Sequence, residues 1–90
     1  MEKIIVTVVG KDRVGIIAKV CTYLSEAQIN ILDITQTIVS GYFNMMVIAD
    51  MSKANRNFDK VRDELAELGE SMGLIINAQR EEIFTAMHRI

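Results

Sequence analysis

Apolar residues in this chain follow two different spacings, and the order of those spacings restricts the fold more than any other feature. Residues 4–9, 29–39, 42–51 and 74–79 are rich in β-branched and apolar residues and are typical of strands. Between them, two segments place apolar residues at three- and four-residue steps, as amphipathic helices do. The resulting βαββαβ order predicts an α+β, ferredoxin-like fold. Right-handed crossovers put both helices on one face of an antiparallel four-stranded sheet.

The two helices have distinct apolar stripes and end signals. The first is expected to begin at Arg13 or Val14, with Asp12 capping it by accepting a hydrogen bond from the Gly15 N–H. Gly69 lies inside the second helix, where we expect it to permit close packing against the sheet. The first stripe is Ile17, Val20, Cys21, Leu24 and Ala27, and the second is Phe58, Val61, Leu65, Leu68 and Met72, closed by Gly73.

Both faces of the predicted sheet are apolar. Ile4, Val6 and Val8 point one way in the first strand while Ile5 and Val9 point the other, and the third strand shows the same pattern. A sheet with helices on one side is normally polar on the other. We therefore expect a partner subunit, a short C-terminal helix, or both, to cover the second face. That helix is predicted over Glu81–Ile90, with an apolar side formed by Ile83, Phe84, Met87 and Ile90.

Length and charge exclude several classes of protein. Ninety residues predict a single domain over 1–90 that gains stability from association, as a homodimer or higher oligomer. The net charge of −2 lacks the basic footprint of a nucleic-acid binder, and no apolar run is long enough for a membrane span. One cysteine and no metal-ligand spacing indicate a cytoplasmic protein without a disulfide, metal or cofactor.

The stretch from Gly10 to Ile16 is the most informative for function. It joins the first strand to the first helix, whose N-terminus presents unpaired backbone N–H groups and a partial positive charge suited to a small carboxylate. Gly15 would let a ligand approach the backbone closely, and Gly10 would relax the turn. A plain structural interpretation stays open, in which Gly10 forms a turn and Asp12 caps the helix.

The same stretch carries a family resemblance. The pattern resembles that of ACT domains, which bind amino acids and regulate metabolic enzymes or transcription. The tail from Glu81 to Ile90 is similar to the ending of a small stand-alone ACT family of bacteria and archaea, related to the glycine-cleavage repressor group. The matching residues are Val9 to Ile17, Leu24, and Ile29 to Ile31.

The resemblance implies a ligand site shared between two subunits, with a small amino acid as ligand. The loop after the first strand would meet the second strand of a neighbour. Asn30 offers both a donor and an acceptor for the ligand, although it also suits a turn that starts a strand. Arg13 would pair with a carboxylate or stay solvated. The implied ligand-binding residues are Asp12, Arg13, Gly15 and Ile16 in the loop, and Asn30, Ile31 and Leu32 in the second strand.

Two other functions share this topology. The run from Ser40 to Val47 resembles the aromatic motif of RNA-recognition domains, but Ser40 and Asn44 stand where that motif has basic and aromatic residues. An acylphosphatase-like enzyme would need an arginine and an asparagine, for which Arg13 and Asn30 qualify, yet that family's glutamine-glycine pattern is missing. Neither Cys21 nor His88 suggests nucleophilic catalysis.

The expected function is therefore that of a non-enzymatic sensor. An amino acid would bind the dimer and modulate an unidentified partner protein. The alternative is a structural adaptor that has lost ligand binding and uses the same surfaces to hold a partner.

Overall fold

The computed structural model describes residues 1–82 and shows the predicted order of strands and helices. The first strand is longer than the sequence suggests, because it continues through Gly10. The first helix is shorter, because it begins after Gly15. The elements are β1 (Lys3–Lys11), α1 (Ile16–Glu26), β2 (Asn30–Val39), β3 (Tyr42–Asp50), α2 (Phe58–Met72) and β4 (Leu74–Arg80).

The four strands form one antiparallel sheet in the order β2-β3-β1-β4. Val6 lies opposite Val47 of β3 and Ala78 of β4, which places the two central strands in the middle of the core. A bulge between Ile31 and Asp33 interrupts the pairing of β2 with β3. The topology confirms the ferredoxin-like prediction.

The core lies between the sheet and the two helices, and it corrects one detail of the predicted helix stripe. Ile16, at 2% exposure, is the buried residue at the start of α1, whereas Ile17 is 37% exposed. Cys21 is half-buried and not part of the core. The rest of the predicted stripe is correct, because Val20, Leu24 and Ala27 are buried. The α1 residues in the core are Ile16, Val20 and Leu24.

The two helices begin differently. The N-cap of α1 is Gly15, with φ of 92°, and no side chain caps this end, so the prediction that Asp12 caps the helix is wrong. The helix starts too late for the Asp12 side chain to take that position. In α2 the Asn57 side chain accepts a hydrogen bond from the Lys60 N–H, which satisfies one free donor of the first turn.

Strand β2 lies at the edge of the sheet and is poorly covered by the helices. Its turn to β3 is the two-residue Ser40-Gly41 connection, with φ of 53° and 80°, as the sequence predicts. Ile34 and Ile38 point to the helix side, because they pair with Val47 and Phe43, yet they are exposed. A long apolar edge without lysine or proline normally invites pairing with another strand.

The face of the sheet opposite the helices, here called the outer face, is apolar as predicted. Val9, Met46 and Ile75 lie on it and are exposed, while Ile5 on the same face is only 5% exposed. Burial on this face therefore increases toward the beginning of β1. The short C-terminal helix predicted over Glu81–Ile90 lies, apart from its first two residues, outside the described part of the chain.

Gly69 provides a test of the packing between α2 and β4. A Cβ at this position would lie 2.8 Å from the Leu74 carbonyl oxygen and 2.9 Å from a side-chain carbon of Ile76. Gly69→Ala should therefore lower the free energy of unfolding by about 1–3 kcal/mol in urea denaturation, although alanine is the better helix former. The exposed Ser71→Ala in the same helix is the control and should change stability little. A stabilised Gly69→Ala protein would contradict this packing.

Candidate functional site

The predicted ligand loop, residues 12–15, lies at one end of the sheet, here called the loop end. Lys11 of β1 pairs there with Tyr42 of β3, which pairs with Val39 of β2. The Asp12 N–H donates to the Gly41 carbonyl over 2.9 Å, so the loop is attached to the β2–β3 hairpin. Gly10 lies inside β1 and not in the turn, which corrects the role expected for it.

Gly15 has a left-handed backbone conformation. Its φ of 92° lies in the left-handed region, where a side chain costs roughly 1–2 kcal/mol. A Cβ on Gly15 would meet nothing within 4 Å, so the space beside the helix N-terminus is open. The backbone geometry alone explains the glycine, and it also leaves the first N–H groups of α1 accessible.

Arg13 is bound to another part of the chain. Its Nη1 donates to the Met72 carbonyl oxygen over 3.1 Å, at the C-terminus of α2. A cation at that end of a helix is favoured by the partial negative charge of the last carbonyl groups. Arg13 therefore ties the loop to α2, and part of its guanidinium is already occupied.

The remaining two residues of this stretch, Ile16 and Val14, differ in the exposure of their side chains. The Ile16 side chain belongs to the core, so only its backbone N–H can reach a ligand. Val14 is 98% exposed, which leaves a β-branched apolar side chain in solvent beside Gly15.

Asn30, Ile31 and Leu32 lie at the other end of the same sheet. Asn30 pairs with Asp50 of β3, which pairs with Lys3 at the beginning of β1. The ten residues of β2 span about 30 Å between Asn30 and the loop end. Asn30 is exposed, Ile31 is half-buried and Leu32 lies at the bulge. One chain therefore does not bring the two halves of the predicted site together.

A cavity of about 760 Å³ lies at the end of the sheet opposite the loop. Its wall combines the beginning of β1, the end of β4 and the first turn of α2. Basic and acidic side chains both line it: Lys3, Arg56 and Arg80, and Glu2, Glu81 and Glu82. The Arg80 guanidinium lies 4.8 Å from the centre of the Phe58 ring. The sequence does not show that these residues lie close together, because their proximity depends on the pairing of β1 with β4.

The largest pKa shift belongs to a cluster between the helices, which shares Arg56 with the cavity wall. The Tyr23 hydroxyl of α1 donates to Glu64 Oε1 of α2 over 2.7 Å, and Arg56 Nη1 donates to the same oxygen over 2.9 Å. Burial, followed by the bond to Glu64, raises the pKa of Tyr23 to about 12. The bonds from Tyr23 and Arg56 lower the pKa of Glu64. This cluster joins the two helices and the β3–α2 loop, which is a structural role.

Within residues 1–82, no helix is long and apolar enough to cross a membrane. Histidine, cysteine and carboxylate side chains in this range form no group of three that suits a metal ion.

The fold and the glycine-capped loop define the class of small ferredoxin-like βαββαβ domains. The sequence matches the ACT domain family over residues 2–79, and the chain belongs to that family. It is 58% identical to a UPF0237 protein of Bifidobacterium longum (strain NCC 2705) over the full length of both chains.

Two solved structures agree with this assignment. An ACT domain protein from Streptococcus pneumoniae superposes with a TM-score of 0.81 at 40% identity, covering 92% of this chain and 93% of that one. A putative glycine cleavage system transcriptional repressor superposes with a TM-score of 0.78 at 28% identity, covering 88% of this chain and 45% of that one. The ACT family is regulatory rather than catalytic.

The cluster around Glu64 predicts a pH-dependent contribution to stability. The lowered pKa of Glu64 stabilises the fold above the carboxyl's ordinary value, and this contribution is lost as pH falls through the folded-state pKa. The raised pKa of Tyr23 stabilises the fold below pH 10, and that contribution is lost toward pH 12. Tyr23→Phe should lower the melting temperature by a few degrees at neutral pH and flatten the acid limb. Tyr42→Phe is the matched control, and equal effects of both variants would contradict the assignment.

Proposed function

We propose that this protein is an amino-acid-responsive regulatory module that acts as a homodimer. The loop of one copy and the beginning of β2 in the other would form the ligand site together. The observation that carries the proposal is the separation of the two halves within one chain. Asn30 lies about 30 Å from the loop end along β2, so a shared site requires a second copy.

Pairing of β2 with its copy brings the halves together. A two-fold antiparallel pair centred on the middle of β2 places Asn30 of one copy beside Val39 of the other. Val39 is at the loop end, next to the hairpin that holds Asp12. The contact is isologous, so each dimer has two equivalent sites.

The surface of β2 supports this edge as the interface. Four of the large apolar side chains that are exposed among residues 1–82 belong to this one strand, and Asp33 is its only charged residue. The other edge, β4, packs under α2, while β2 has little helix above it. The exposed residues of β2 are Leu32, Ile34, Ile38 and Val39.

The loop offers complementary chemistry to the two charged groups of an amino acid. The backbone N–H groups after Gly15 suit the carboxylate, because they have no partner within the helix. The Asp12 side chain is exposed and suits the ammonium group, together with Asn30 of the other copy. Arg13 keeps its bond to Met72 and positions the loop.

The enzymatic alternative has less support than the sensor. Within one chain Arg13 and Asn30 lie at opposite ends of the sheet, and the Arg13 guanidinium already donates to the Met72 carbonyl, which leaves less of it for a substrate in the dimer. The regulatory character of the ACT family favours a non-enzymatic, cytoplasmic sensor that acts on a separate partner protein. The adaptor alternative has the same surfaces and differs only in binding no ligand.

Thermal screening against the twenty amino acids tests the sensor directly. A ligand at about 100 times its dissociation constant adds about 2.7 kcal/mol to stability, which shifts the melting temperature by roughly ten degrees or more. Gly15→Asn should abolish the shift, because asparagine tolerates positive φ but fills the open space beside the helix N-terminus. A valine at this position would strain the backbone. Gly73→Asn is the matched control, with φ of 70° and equally open surroundings.

Two outcomes would contradict this prediction. If no amino acid shifts the wild-type protein, the adaptor interpretation replaces the sensor. If Gly15→Asn keeps the full shift while Gly73→Asn behaves like the wild type, the ligand site lies elsewhere in the protein.

Complementation tests whether two chains share the site. Gly15→Asn and Asn30→Ala homodimers should each fail to bind the amino acid found in the screen. A mixed dimer, isolated through two different affinity tags, should recover half of the wild-type sites by calorimetry, since one site then has both native halves. A mixed dimer without binding would contradict the shared site, because a site within one chain cannot be restored by mixing.

A further inference from the structure

The outer face has an exposed part at the loop end, here called the outer patch. Its apolar members are Ile75 of β4, Val9 of β1, Tyr42 and Met46 of β3, and Val39 of β2. Register places all five on the side of the sheet opposite the helices. A shallow hollow of about 210 Å³ lies among Thr7, Val9, Thr37 and Met46. Neither α1 nor α2 covers this surface, because both pack on the other face.

Charge on this face is confined to its rim. Lys11 lies at one end of β1, Lys3 and Asp50 lie at the other end of the sheet, and Asp33 lies on the β2 edge. The polar residues between them are threonines and asparagines, such as Thr7 and Asn44. Their side chains both donate and accept hydrogen bonds, so the patch can be complementary to itself. A charged partner would find no opposite charge in its centre.

The area of the patch limits what can cover it. Ile75 is 65% exposed and the other four apolar members are 37–61% exposed. They present on the order of 100 Å² each, since large side chains can bury 150–250 Å². One patch therefore offers about 500 Å², below the roughly 800 Å² per partner of a stable interface. Two patches acting together exceed that value.

We infer that the outer patch packs against the same patch of another copy, so that two edge-joined dimers assemble back to back as a tetramer. This inference rests on the β2-edge dimer of the proposed function. That dimer extends the sheet to eight strands and puts its two outer faces on one side, which doubles the patch. Two such sheets pack about 10 Å apart with their inner side chains interdigitated. The hollow beside Val9 receives a protruding side chain of the facing copy.

Mass measurement on the full chain tests the arrangement. Sedimentation velocity and native mass spectrometry should show four chains for the wild type and two for Ile75→Lys, because a lysine in each patch meets its own copy across the two-fold axis. Asn77→Lys, at the next outer position of β4, should have the same effect. The control Ala66→Lys adds the same charge to the exposed face of α2 and should remain a tetramer.

The outcomes separate this inference from the proposed function. A wild type of two chains at all concentrations up to millimolar, with the amino-acid shift intact, overturns the tetramer and leaves the sensor standing. The tetramer is also overturned if both patch variants still contain four chains. It is overturned as well if the variants lose thermal stability without a change in mass, because the patch is then covered within the chain. A monomeric wild type overturns the edge dimer as well. Circular dichroism identical to the wild type establishes that each variant is folded.

Discussion

Both helices pack on the same side of the sheet, and the exposed surfaces of this protein follow from that arrangement. The crossovers from β1 to β2 through α1 and from β3 to β4 through α2 have the same hand, which leaves both helices no alternative side. The helices bury the side of the central strands that faces them, as Val6, Val8 and Val47 show. Neither helix covers the outer face, and strand β2 has little helix above it.

The parts of the fold that depend on local spacing could be predicted from the sequence. Periodicity and turn chemistry within a few residues are enough to predict the order of strands and helices along the chain. They also predict the Ser40-Gly41 turn and the end of α2 at Gly73. The apolar outer face is also visible in the alternation of Val8 and Val9. The family pattern around Gly15 could also be recognised locally, because a glycine before a helix can be identified from the neighbouring residues alone.

The details of the site depend on contacts that no local pattern shows. The start of α1 at Ile16 follows from the left-handed backbone at Gly15, and this displaces Asp12 from the capping position. The partner of Arg13 is 59 residues away, at the end of α2. The separation of Asn30 from the loop requires the full register of β1, β3 and β2. The charged cavity at the opposite end is formed by three separate segments of the chain.

The attachment of the loop has a mechanical consequence for regulation. Asp12 is bonded to the hairpin and Arg13 to the end of α2, so the loop is held from both sides before any ligand arrives. A loop held in this way pays little ordering entropy on binding. In the proposed sensor, the response to a ligand would therefore lie in how the chains are arranged more than in a movement of this loop.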